Sequence, residues 1–185
     1  MNVNVCINDN LGDVKDESKL LVVNCINSSD SLAIGAIIIL YEQQQVKTHL
    51  IDANNYHIQM LANKPALAAT NSLDEKLSIW NKNVPLLNSE LTELRAADTM
   101  FASPQQKQYI SVAIQLNGDN MALYNVELQA KSEKLSGDYN LGNMLLLVSK
   151  IEDINKNEIS LGQTLSGLTA QYPDQFGFSV SNNTV

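Results

Sequence analysis

Hydrophobic and polar positions alternate cleanly in two parts of the chain. Near its start, Val3, Val5 and Ile7 interleave with Asn2, Asn4, Cys6 and Asn8, the period of two that a half-buried strand requires. Further on, Ile110, Val112, Ile114 and Leu116 interleave with Tyr109, Ser111, Ala113 and Gln115. Asn117-Gly118 follows, and the alternation resumes through Ala122, Tyr124, Val126 and Leu128. Asn-Gly is favoured where a tight turn needs positive φ, so the spacing predicts a β-hairpin over 108–129.

Other apolar runs point the same way. Leu20 to Ile26 is rich in β-branched residues and ends at Asn27-Ser28-Ser29-Asp30, while 9–18 is charged and reads as a loop. Leu32 to Tyr41 holds four isoleucines, three of them consecutive, and is expected as a central strand with Gly35 at a packing or bulge position. Between Gln43 and Leu61 two patterns coexist. Val46, Thr48 and Leu50 fit a strand, whereas Val46, Leu50 and Ala53 fit one helix face. An extended segment through Ile51 with a turn at Asn54-Asn55 is preferred. Met144 to Val148 and Phe176 to Val180 complete the expected strands, and Gly162 and Gly167 argue against a helix over 159–168.

Helical signals concentrate in the middle. Ser72-Leu73-Asp74-Glu75 matches a capping box, and Leu73, Leu77 and Trp80 share a face behind it. Pro85 interrupts this helix and opens a second, striped by Leu87, Leu91 and Leu94 and closed at Ser103-Pro104. The resulting expectation is an α+β domain spanning 1–185. It would have an antiparallel β-sheet or sandwich, a two-helix insertion at about 72–102 and a polar tail at 181–185. The alternative, a mainly helical bundle, requires 32–61 to be one long helix.

Charge narrows the function classes. Twenty acidic against twelve basic residues give a net charge of −8. That field repels phosphate backbones and anionic lipid, and the densest basic stretch, Lys131 to Lys134, contains Glu133. No nucleic acid is expected as a partner. The longest apolar run is half the length of a membrane-spanning helix, so no membrane insertion is expected either. The first residues lack the basic lead and apolar core of a signal peptide, which places synthesis in the cytoplasm and leaves signal-less export open. Charged residues are only 17% of the chain, and the polar remainder is largely Asn, Gln and Ser, a surface suited to close protein contact.

Candidate chemistry is sparse. Cys6 and Cys25 are too few for a zinc site and are expected as reduced thiols, although antiparallel pairing of their segments would place the sulfurs together. His49, Asp52 and His57 are the conceivable metal set, yet spacings of three and five do not put them on one face of a helix or strand. Glu152, Asp153, Asn155, Asn157 and Glu158 offer oxygen ligands without the order of a calcium loop. Neither a Gly-x-Ser-x-Gly elbow nor a glycine-rich phosphate cradle is present. Trp80 is expected in the core, and the glycosylation patterns at Asn27 and Asn182 carry little meaning without secretion. No catalytic, metal or cofactor residue is assigned. The expected function is a non-catalytic structural or assembly protein, self-associating as a homo-oligomer or built into a larger assembly. The alternative is a protein-binding module (adaptor, chaperone or secreted host-interaction factor) that uses the 72–101 helices.

Overall fold

The computed structural model describes residues 30–137 and 140–180. Every regular element among them is helical: α1 (Asp30–Leu61), α2 (Lys64–Ala69), α3 (Leu73–Asp98), α4 (Pro104–Ser136), α5 (Leu141–Gln171) and α6 (Pro173–Phe176). The α+β expectation, with its sheet and helical insertion, is overturned over these residues in favour of the helical bundle. The segments 2–8, 20–26 and 181–185 lie outside the described residues. The chain divides into two units, 1–41 and 42–185. In the first, residues 30–41 are the opening turns of α1, so the isoleucine-rich segment expected as a strand is helix. Isoleucine costs a helix only about half a kcal/mol relative to alanine, too little to stop one that is already growing.

In the second unit, α1 presents Val46, Leu50, Ala53 and Met60 to the core at helical spacing, which settles the two patterns of this segment. The chain then turns through the short α2. Ser72 caps α3 by accepting from the Glu75 amide at 3.4 Å, as the capping box predicts. The Glu75 carboxylate does not reach back; it accepts from the Thr70 hydroxyl instead.

Pro85 does not break α3. It sits on the exposed face, as does Asn81, whose carbonyl loses its helical donor to the proline. Leu77 and Trp80 before it, and Leu87 and Leu94 after it, are all buried. Each contributes roughly 1.5–3 kcal/mol, together well above the roughly 3 kcal/mol that an interior proline costs.

The predicted hairpin is one helix of 33 residues. Ser103 is its N-cap, not the close of the helix before it. The Ser103 hydroxyl accepts from the Gln106 amide at 3.1 Å and the Gln106 side chain accepts from the Ser103 amide at 2.9 Å, with Pro104 at the first turn. Tyr109, Ile110, Ala113, Leu116, Asn117 and Asn120 are buried at intervals of one, three and four, while Val112 and Ile114 lie only partly buried beside them. Gly137, with φ 81°, ends α4, and Asn140 caps α5 by accepting from the Asn143 amide at 3.0 Å. Two further expectations fail within α5. Met144 to Val148 is helix, and Gly162 and Gly167 sit inside a helix whose Leu161, Leu165 and Leu168 are buried. The terminal strand is also absent. Phe176 closes α6 fully buried against the rings of Tyr109 and Phe178, and Gly177 turns the chain at φ 74°.

The core has two apolar parts. The larger joins Leu50, Leu94, Ile110, Leu116, Leu165 and Phe176, among others; the smaller joins Met60, Trp80 and Leu87 with Leu67, Met121 and Leu123. Gly118 tests the architecture directly. It is exposed inside α4, and a Cβ there meets nothing within 4 Å. Gly118→Ala is expected to stabilise the protein by about 0.5–1 kcal/mol in chemical denaturation, because alanine is the better helix former. A type I′ hairpin turn would give the opposite sign.

Candidate functional site

Four helices each send a polar side chain into the zone between the two apolar parts. They are His57 from α1, Glu90 from α3, Asn117 from α4 and Glu158 from α5. Asn117 Nδ2 donates to Glu90 Oε2 at 2.8 Å and to the Leu87 carbonyl at 2.9 Å. Glu90 Oε1 lies 3.1 Å from His57 Nδ1, at ion-pair distance without hydrogen-bond alignment. Glu90, Asn117 and Glu158 are all buried. Breaking such a network is costly because the remaining partners keep their desolvation cost: Glu90→Ala is expected to lose about 3 kcal/mol in urea denaturation.

Glu158 differs from the others. It is 4% exposed, and its Oε1 has no hydrogen-bond partner in the protein. Burial pushes its carboxyl above the usual range. Lys64 opposes that rise, Asp119 reinforces it and His57 opposes it. Beside it lies a cavity of about 260 Å³. Met60, Leu61, Leu67, Trp80, Leu123 and Ile151 supply its apolar wall, and Lys64, Lys76, Glu127 and Glu158 its charged groups. Lys76 and Glu127 pair with each other at 3.3 Å. The site is thus an apolar pocket with one buried acidic group, Glu158, and one cation at its exposed edge, Lys64, whose charge acts on that group.

The candidates read from the sequence are scattered. His49 Nδ1 pairs with Glu93 Oε2 at 2.6 Å, Asp52 is exposed, and His57 belongs to the buried polar zone, so the three are not brought together. Among the described residues no group of three or more His, Cys, Asp or Glu could hold a metal ion. Of the acidic stretch, Glu152 and Asp153 are exposed and only Asn155 and Glu158 reach the cavity wall; Asn157 donates to Asp119 at 2.5 Å. Trp80 is buried in the smaller apolar part, as expected, and also lines the cavity. Gly35 lies inside α1. Cys6, Cys25, Asn27 and Asn182 fall outside the described residues. Glu158 was visible in the sequence only as part of a polar run. Its helical offset of three and seven residues from Leu161 and Leu165 is the signal that marks it as inward-facing.

A second feature sits at the start of α5. Met144, Leu147 and Ile151 turn inward, while Leu141, Leu145, Leu146 and Val148 are exposed at 67%, 59%, 64% and 45%. Leu135, near the end of α4, is exposed at 78%. By contrast, the stripe of α3 expected to meet a partner is buried: Leu77, Trp80, Leu87 and Leu94 all belong to the interior. Among the described residues no helix is long and apolar enough to cross a membrane.

The raised carboxyl makes stability depend on pH with a definite sign. A carboxyl whose folded-state pKa lies above its unfolded value binds more protons when folded, so stability falls as pH rises through that window. Glu158→Gln is expected to raise Tm at pH 7, above the ordinary carboxylate range, because the amide removes the cost of holding an ionisable carboxyl in a buried place. The gain should vanish below the ordinary carboxylate range, where the carboxyl is protonated in both states. Thermal scans at pH 7 and at about pH 3 measure it.

Compared with known protein families, with curated proteins and with solved structures, the chain finds no match.

Proposed function

We propose that this chain is a non-catalytic protein-binding module whose contact surface is the leucine face at the start of α5. One observation carries the reading. The run Met144 to Val148 near the start of α5 is apolar around the whole helix, yet Leu147 alone of it is buried and Leu145, Leu146 and Val148 are exposed. A helix that is hydrophobic all round is ordinarily buried. Leu141, Leu145 and Val148 stand at i, i+4 and i+7, the spacing with which one helix docks another, so the partner presents an apolar helical stripe. Covering each of these half-exposed side chains is worth about 1 kcal/mol, and a handful of them supplies a weak but specific contact.

The competing assembly reading drew its contacts from β-branched strand edges, and the described residues form helices instead. The binding reading also moves its contact face away from 72–101, since the apolar side of α3 lies inside the fold.

Leu141→Glu and Leu145→Glu together test the proposal. Both positions are exposed, so the fold should tolerate the pair within about 0.5 kcal/mol each. The native protein should remain monomeric by light scattering at 50 micromolar concentration (~0.05 mM, well above a typical functional contact) and should bind the hydrophobic dye ANS. It should also retain specific proteins on an affinity column, and the double variant should lose both the dye and those proteins. Identical retention by the two forms counts against the proposal. A native dimer that the double variant dissolves restores the assembly reading.

A further inference from the structure

We propose that the cavity between α1, α2, α3, α4 and α5 binds a small organic ammonium with an apolar body, its nitrogen pairing with the Glu158 carboxylate and its body lying against Trp80, Met60 and Leu123. The inference is independent of the partner surface and rests on the chemistry of the wall. Glu158 lines the cavity, is 4% exposed, and offers a carboxyl oxygen that no protein donor reaches. Leaving a buried acceptor unmet is unfavourable, and an ammonium donor meets it most strongly because both partners are charged.

The remaining lining selects the rest of the ligand. Met60, Leu61, Leu67, Leu123 and Ile151 provide no polar group, so the body is hydrocarbon. Trp80 adds an aromatic surface for a ring or for the cation itself. The other acid, Glu127, is already paired with Lys76. Asn83 accepts from Asn63 and Asn120 donates to the Leu116 carbonyl, whereas Glu158 is a buried acid of the wall with an oxygen that accepts no hydrogen bond. A volume of about 260 Å³ suits a molecule of phenethylamine size. The net charge of −8 favours the approach of a cation over an anion. Lys64 stands at the exposed edge, where a carboxylate on the same ligand could meet it.

Trp80 is the only tryptophan of the chain and stands in the cavity wall, so its fluorescence reports occupancy. The full chain is titrated with phenethylamine, phenylalanine and 3-phenylpropanoate, three probes of one body and different charge. Phenethylamine is expected to change the Trp80 emission saturably and to raise Tm. Glu158→Gln, checked by circular dichroism to be folded, should weaken it by about tenfold or more, the worth of a hydrogen bond between charged groups. Phenylalanine binding as well as or better than the amine supports the proposal and adds Lys64 as a second contact, which Lys64→Ala should remove. No saturable response to either ammonium overturns the proposal. So does equal binding to Glu158→Gln, or 3-phenylpropanoate binding best.

Discussion

The buried polar zone of His57, Glu90, Asn117 and Glu158 is the constraint on which the arrangement of the second unit depends. Apolar helices slide past one another at small cost, because one leucine contact resembles the next. A polar side chain removes that freedom. Asn117 has its partners, Glu90 and the Leu87 carbonyl, at one relative position of α3 and α4. A displacement by one turn, about 5.4 Å, would strand it among leucines at the cost of unmet hydrogen bonds. The zone also explains the divided core. Ala53, Leu94 and Leu116 lie on one side of it in the chain, and Met60, Leu87 and Met121 on the other.

Inward-facing asparagines, Asn117 of this zone among them, also explain why the sequence suggests a sheet where the structure has helices. Asn83, Asn117 and Gly118 resemble turn residues, since asparagine and glycine are the ordinary punctuation of loops. In the structure, Asn83 and Asn117 are almost fully buried and bonded across the bundle. Their side chains make tertiary contacts that local propensity does not register. The alternation over 110–116 misled for a related reason. Tyr109 and Ala113 are apolar enough for the core, so the segment satisfies periods of 2 and 3.6 together. The decisive local signal was Ser103-Pro104-Gln105-Gln106, a helix start with serine at the cap, proline in the first turn and glutamine reaching back. Read as a helix end, it removed the reason to extend α4. The capping serine of α3 and the inward Trp80 were legible, because each depends on neighbours in sequence alone.

The candidate site was largely illegible for a different reason. Its wall is drawn from residues far apart in the chain, from Met60 to Glu158, and no short motif links them. A buried carboxylate leaves little trace in a single sequence, since Glu158 stands among exposed polar neighbours, Asn155, Lys156 and Asn157. Its inward direction follows only once the segment is known to be helical. The scattered histidines show the converse. His49 and His57 look like a metal pair on paper, yet each faces a different glutamate of α3.

The two proposed surfaces meet on α5, whose two halves are anchored unequally. From Glu158 onward, Leu161, Gly162, Leu165, Leu168 and Thr169 are buried, and Thr169 also holds the Val180 amide at 3.0 Å. Between Leu141 and Asn157, Leu147 alone is buried. Local stability follows buried contacts, so the first half of α5 is the weaker and the second the fixed part. The exposed leucines occupy the weaker half, and Ile151 of the cavity wall belongs to it as well. A partner stripe laid along Leu141, Leu145 and Val148 would supply the burial that this half lacks. Glu158, at the junction of the halves, lines the cavity from the first buried position of the fixed part. The helix thus combines a well-buried root, which carries Glu158, with a thinly covered end, where the proposed partner would add the most burial.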